Sequence, residues 1–186
     1  MKIYSNALKA TLARCLIVIG FVALVACDSN FTPPPAGNMA GSSLSAYNFS
    51  AEGIQEYFVD GAWGSGVGIG SGGGQVCCVK IPRKWHDKLE VTIEWRRSDC
   101  GGVDAQGRSK CRDMELGTWP KKTLKKTVPI EPYSAPDTVQ VFFLPHDEIK
   151  IYVSDMAPWH PEHPSKLGDV GPHPFTEDEF QKFMNK

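Results

Sequence analysis

The chain has 186 residues, and its 20 basic and 21 acidic side chains give a formal net charge of −1 at pH 7. After a predicted leader is removed, this length is enough for one folded domain and excludes several. The charge is unevenly placed, since residues 80–126 hold 13 basic and 7 acidic side chains. We therefore expect a surface with a basic side and an acidic side. We expect no nucleic-acid partner, because the leader described next predicts a periplasmic address.

Residues 1–26 have the three parts of a secretory signal: a basic start, the apolar run "CLIVIGFVALVA" and small residues. The run is shorter than the roughly 20 apolar residues that a membrane span needs. It ends in "LVAC", which resembles a bacterial lipobox and implies cleavage before Cys27 and lipidation of that cysteine. An ordinary signal peptide or an uncleaved anchor is the alternative. Asp28 favours the periplasmic face of the inner membrane, and the outer membrane is also possible.

A tether is predicted after the leader. Its sequence, "DSNFTPPPAGNMAGSSLS", is rich in Pro, Gly, Ser and Asn and has almost no large apolar residue. Such a segment cannot bury enough surface to fold. We therefore predict a flexible tether over residues 27–45 and one β-rich domain over residues 46–186.

The domain is predicted to be built from short strands. Six runs rich in Val, Ile, Phe, Tyr and Thr are separated by Gly, Pro, Asp and Ser clusters. They cover residues 53–61, 75–81, 89–95, 124–130, 138–144 and 148–154. Apolar and polar residues alternate from Leu89 to Trp95, so one face of that strand is buried. A turn at Pro145–Glu148 joins the last two runs as a hairpin. The pattern predicts a mainly β fold, either a single antiparallel β-sandwich or an open barrel.

Two further segments have a clear local interpretation. Near the C-terminal end, "TEDEFQKFMNK" has Thr176 as an N-cap and Glu179 three residues later, which predicts one short helix. The stretch "WPKKTLKKT" could contact anionic lipid or nucleic acid. We favour a solvated edge strand protected by its lysines.

Four cysteines lie in the predicted domain: Cys77, Cys78, Cys100 and Cys111. Free thiols tend to be oxidised in an exported protein, so two disulfides are expected. Cys100 and Cys111 bracket a polar loop, and a bridge between them would close the tip of a hairpin. Cys77 and Cys78 either form a vicinal bridge or pair with the other two, and we prefer the pairing of Cys100 with Cys111. A redox switch at the vicinal pair is a less favoured interpretation.

The sequence offers few catalytic motifs. It has neither Gly-x-Ser-x-Gly nor His-Glu-x-x-His, and "GSGVGIGSGGG" lacks the Gly-Lys-Ser/Thr of a phosphate loop. A metal site could be assembled from His160, Glu162, His163 and His173. Three prolines interrupt that segment, however, and remove the helical spacing that would bring the imidazoles together. We expect a protein that is not an enzyme and has no cofactor and no metal. A cell-envelope lipoprotein with a structural, metal-binding or redox role is the alternative.

The five tryptophans fall into two groups. Trp85 and Trp95 are predicted core residues. Trp63, Trp119 and Trp159 lie in loop-like sequence and are candidate partner contacts, because binding energy is concentrated in a few aromatic and arginine residues. Packing over the ends of the sandwich is the alternative for each of the three.

The series "GGGQVCCVKIPRKW", "LEVTIEW", "VPIEPY", "VQVFFLP" and "HPEHP" resembles a family of small bacterial lipoproteins that are similar to type VI secretion lipase immunity proteins. The resemblance covers about residues 47–163. The matching positions are Cys77 to Pro82, Trp85, Trp95, Val128, Pro129 and Tyr133. The long loop from Cys100 to Thr118 departs from the family pattern. The resemblance implies a periplasmic, membrane-tethered protein that binds a cognate phospholipase effector and neutralises it.

Overall fold

A computed structural model describes residues 37–115, 117–169 and 171–186 of the chain. The predicted leader, Cys27 and Asp28 lie outside the described residues. The described residues form eight strands, two short 3₁₀ helices at Lys110–Asp113 and Pro145–Asp147, and one α-helix, α1, at Glu177–Met184. The strands are β1 Met39–Asn48, β2 Ile54–Val59, β3 Ala62–Gly64, β4 Gly72–Pro82, β5 Glu90–Ser98, β6 Lys121–Pro129, β7 Val139–Phe143 and β8 Ile149–Val153.

Two four-stranded sheets face each other as a sandwich. Sheet A has the order β4-β1-β7-β8, and sheet B has the order β3-β2-β5-β6. All neighbouring strands are antiparallel except β1 and β7, which run parallel. The predicted mainly β sandwich with one C-terminal helix is therefore confirmed. The parallel pair was not predicted, because it joins strands that are distant in the sequence.

The core between the sheets follows the predicted alternation. In β5, Val91, Ile93 and Trp95 are buried, while the residues between them are half-buried or exposed. The prediction that Trp95 belongs to the core is confirmed. Trp85 is only half-buried at the margin of the domain, where its indole N–H donates to the carbonyl oxygen of Ile130 at 2.8 Å. This bond satisfies the polar N–H of the half-buried ring.

A second apolar layer covers the outer face of sheet A. It consists of aromatic and aliphatic side chains from β1, β7, β8, α1 and the residues that directly follow β1 and β7. They are Tyr47, Phe49, Phe142, Leu144, Tyr152, Phe180 and Phe183. Because both faces of the sheet are covered, all five residues of β7 are buried. The predicted start of the helix is confirmed, since Thr176 and Glu179 form a reciprocal capping box.

The folded domain begins earlier than predicted. Strand β1 starts at Met39, so residues 39–45 belong to the sandwich and not to a tether. This strand pairs with β4 on one side and with β7 on the other. The strand was not predicted because most of its first residues are small and give no apolar alternation. Its stability comes from backbone pairing on both sides more than from large apolar side chains.

The lysine-rich strand β6 lies at the edge of sheet B. Lys122 bonds Asp147 at 3.0 Å, Lys125 bonds Glu94 at 2.5 Å, and Lys126 contacts Glu148. Lysines on an edge strand oppose pairing with a further strand. The interpretation of this stretch as a protected edge is therefore favoured, and these three cations are already paired with carboxylates.

Candidate binding groove

The four cysteines form two pairs at disulfide distance. Cys100 pairs with Cys111, and their Cα atoms are 5.4 Å apart. This is the pairing that the sequence favoured. Cys77 pairs with its neighbour Cys78. Both vicinal cysteines are exposed, at an irregularity in the pairing of β4 with β1. The pair of Cys100 and Cys111 lies beside a groove, which Cys111 helps to line.

The segment closed by the first pair is held firmly to the sandwich. We call residues 100–113 the disulfide loop. Glu52, which follows β1, accepts hydrogen bonds from the Gly102 amide at 2.7 Å and the Ser98 hydroxyl at 2.8 Å. The Lys110 ammonium donates to the carbonyl oxygen of Gly101 at 2.8 Å. Glu52 was not among the predicted site residues, because no local motif marks a carboxylate that anchors a loop 50 residues away.

A turn inside the disulfide loop is also fixed by hydrogen bonds. Asp104 accepts from the backbone amides of Gln106 and Arg108, both at 2.9 Å, and from the Arg108 guanidinium at 2.9 Å. The amide and side-chain bonds from Arg108 lower the pKa of the Asp104 carboxyl below its ordinary value. The loop is therefore ordered before any partner binds, which reduces the entropy lost on binding.

An open groove of about 680 Å³ lies beside this loop. Its floor is the start of β2, at Gly53–Gln55, and one wall is the segment Gly66–Ile69. The other wall includes Cys111 and Arg112, and Trp119 also lines the groove. The lining is mostly apolar with a few polar groups, as in typical ligand and partner sites.

The glycine-rich wall depends on a close backbone approach. Val67 exchanges two backbone hydrogen bonds with Ile54, at 2.9 and 2.7 Å. A Cβ on Gly66 would lie 2.8 Å from the carbonyl oxygen of Gln55, so only glycine fits at that position. The glycines that the sequence suggested as a simple connection between strands therefore also shape one wall of the groove.

The three candidate tryptophans do not share one site. Trp119 lines the groove, and its buried indole N–H has no acceptor among the described residues. Trp63 is 52% exposed, and it lies on β3 opposite Phe58, not in a loop as the sequence suggested. Trp63 lies four residues before Val67, which belongs to the groove wall. Four extended residues span at most roughly 13 Å, so Trp63 lies no further than that from the wall. Trp63 therefore lies in sheet B, and Trp119 lies two residues before β6 of the same sheet.

Trp159 lies elsewhere. It is 38% exposed in the segment after β8 and packs edge-on against Tyr47, with ring centroids 6.1 Å apart. Tyr47 belongs to the apolar layer over sheet A. Trp159 therefore packs against the apolar layer over the face of sheet A, whereas the alternative role predicted for it was packing over an end of the sandwich. More than a third of its surface stays exposed.

The histidines are not assembled around a common point. His163 is fully buried, and its imidazole contacts the hydroxyl of Ser165 at 2.8 Å and the amide oxygen of Gln140 at 3.1 Å. His173 instead contacts Glu179 at 3.1 Å, and His160 is exposed. Among the described residues, no three His, Cys, Asp or Glu side chains are placed to hold a metal ion.

Burial controls the protonation of His163. The Ser165 amide donates to Nδ1 at 3.1 Å, so Nε2 carries the ring proton and donates it to the amide oxygen of Gln140. Burial, with smaller contributions from Lys166 and His160, lowers the pKa of His163 to about 4. The imidazole is therefore neutral at physiological pH and forms part of the apolar layer over sheet A.

These observations define a disulfide-stapled β-sandwich with a preformed groove at sheet B. Over residues 47–151 the chain matches the family described as "Protein of unknown function (DUF3304)", and it belongs to that family. The match includes the groove and the disulfide loop, and it ends within β8. No curated protein and no solved structure matches the chain. Within the part of the chain that the structure describes, no helix is long and apolar enough to span a membrane.

Proposed function

We propose that this chain is a membrane-tethered lipoprotein of the periplasm that binds and neutralises a phospholipase delivered by type VI secretion. The proposal starts from the sequence resemblance over residues 47–163 and from the predicted lipidation of Cys27. The observation that carries it is the groove beside the disulfide loop. It is preformed, mostly apolar, and set on a rigid two-sheet scaffold.

An inhibitor of this kind needs a rigid surface more than it needs reactive groups. The disulfide of Cys100 and Cys111 and the Glu52 hydrogen bonds fix the loop before a partner arrives. Such preorganisation favours tight binding, because little conformational entropy is lost when the complex forms. A blocked enzyme must stay blocked, so slow dissociation is the useful property.

The corrected domain boundary also suits a protein that guards a membrane. The fold begins at Met39, twelve residues after Cys27. Twelve residues span at most about 40 Å when fully extended. A lipid on Cys27 would therefore keep the sandwich within reach of the membrane surface on which a phospholipase acts.

The test is a titration of the full-length protein, extracted in detergent, into the phospholipase encoded by the neighbouring gene. Phospholipid hydrolysis and complex formation are followed together. We expect activity to fall to zero at a fixed molar ratio, with a stable complex. Absence of both binding and inhibition by folded protein would refute the proposal. The alternative redox role of the exposed Cys77–Cys78 pair would then be tested by a count of free thiols.

A Cys27→Ser variant separates binding from tethering. We expect it to inhibit the phospholipase in solution as the unchanged protein does, because the groove is formed by described residues between Gly53 and Trp119. In cells it should protect less well, because the inhibitor is no longer held at the membrane. Equal protection in cells would contradict the role of the lipid.

A further inference from the structure

We propose that the groove receives an acidic segment of the phospholipase, a loop or chain end that places a large apolar side chain on the groove floor and a carboxylate against Arg112. This inference rests on the proposed function. It names the contact surface on this chain and the chemistry of the partner segment.

The charge of the groove rim supports an acidic partner. Three of the four β6 lysines, Lys122, Lys125 and Lys126, already contact carboxylates. By contrast, the Arg112 side chain is 59% exposed, and its closest carboxylate is that of the adjacent Asp113 at 3.7 Å. At this distance the guanidinium forms no hydrogen bond with that carboxylate. An arginine with open donors at the edge of an apolar site is suited to bind a carboxylate through two parallel hydrogen bonds.

The side chains near Arg112 are those that contribute most to protein interfaces. Trp119 lines the groove, and Met114, which follows the disulfide loop, is 41% exposed. The Met114 sulfur lies 3.9 Å from the Cys100 sulfur, so it is close to the disulfide. Tryptophan, methionine and arginine are enriched in interface cores. An apolar side chain of the partner that packs against them would be shielded from water by the surrounding polar rim.

The groove wall favours a polypeptide over an acyl chain. In the segment Gly66–Ile69, the backbone amides of Gly68 and Ile69 make no hydrogen bond with another described residue. A partner backbone offers carbonyl oxygens to such amides, whereas a hydrocarbon chain has no acceptor to offer. An extended protein segment therefore matches the polar groups of this wall better than a lipid tail does.

Charge reversal at the rim tests the inference. Arg112→Glu should raise the Kd for the phospholipase at least about tenfold, mainly through slower association, and should weaken the salt dependence of association. Lys84→Glu is the matched control, because Lys84 is exposed and makes no salt bridge among the described residues. The control should change Kd by less than about twofold.

The outcomes separate the two proposals. If the unchanged protein binds and inhibits while Arg112→Glu behaves in the same way, the contact inference is wrong and the proposed function stands. If the unchanged protein does not bind, both are wrong.

A photoreactive benzoylphenylalanine in place of Met114 identifies the occupant directly in cells that make both proteins. We expect a crosslink to a phospholipase peptide that contains Asp or Glu, and none from the same probe in place of Lys84. Crosslinks at position 114 only to phospholipid or to a second copy of this chain would overturn the inference.

Discussion

Protonation of His163 should destabilise the fold in mildly acidic solution. Its imidazole is stacked on Phe142, with the ring planes 8° apart, and both ring nitrogens are engaged by Ser165 and Gln140. A second ring proton would have to sit on Nδ1, where the Ser165 amide already donates. The charged form would therefore lose a hydrogen bond and carry a buried charge without a counter-ion.

The size of the effect follows from the two pKa values of His163. The ordinary pKa is 6.5, which applies to the unfolded chain, and burial lowers it to about 4 in the folded protein. Because the folded pKa is the lower one, the stabilisation is complete above the unfolded pKa and is lost as the pH falls toward the folded pKa. Between about pH 7 and pH 5 the free energy of unfolding should fall by about 2 kcal/mol from this residue.

Urea unfolding at a series of pH values measures this loss. His163→Asn keeps an acceptor for the Ser165 amide but removes the titration. We expect the variant to be less stable near neutral pH, because stacking on Phe142 is lost, and to have a flatter pH dependence between about pH 7 and pH 5. Carboxylates contribute equally to both proteins. If both curves have the same slope, His163 does not titrate with a lowered pKa and the reasoning fails.

Four other substitutions test the site and the scaffold. Trp63→Ala or Trp119→Ala should weaken phospholipase binding by more than about 1 kcal/mol, and unchanged affinity in a folded variant would remove that tryptophan from the interface. Glu52→Gln replaces an acceptor with a donor, so loop amides should exchange hydrogen faster and unfolding free energy should fall by about 1–2 kcal/mol. Unaltered exchange would contradict the anchoring role. Gly64→Ala forces a Cβ into the ring of Tyr57 and should cost about 3 kcal/mol, seen as a lower Tm, whereas an unchanged Tm would refute the close contact.

Strong hydrophobic periodicity was a reliable guide to the strands. The run from Leu89 to Trp95 became β5, and the hairpin at Pro145–Glu148 joins β7 and β8 as predicted. Strand β3 contains only three residues and is too short for a periodic signal. Strand β1 begins among glycine and serine residues, and its partner β7 lies almost 100 residues further along the chain. Local sequence carries no information about such a distant pairing.

The candidate site was only partly predictable, because it is made of segments that meet through the fold. The cysteine spacing favoured a bridge between Cys100 and Cys111, and composition singled out Trp119. The groove itself needs the segment Gly66–Ile69 to approach the disulfide loop across the start of β2. The role of Glu52 could not be predicted for the same reason. Glu52 anchors the disulfide loop through Gly102, and only the folded chain brings these two residues together.

The covering of sheet A explains why a partner would use the other side of the molecule. The segment after β8 and helix α1 bury the aromatic residues on the outer face of sheet A, so the chain itself occupies that surface. No such apolar cluster is found over sheet B among the described residues, where Trp63 is exposed and the start of β2 lines the groove. Because the family match ends at residue 151, it includes the groove but omits the segment and helix that cover sheet A. A surface for recognising a protein partner is therefore expected within the shared part of the fold, at sheet B.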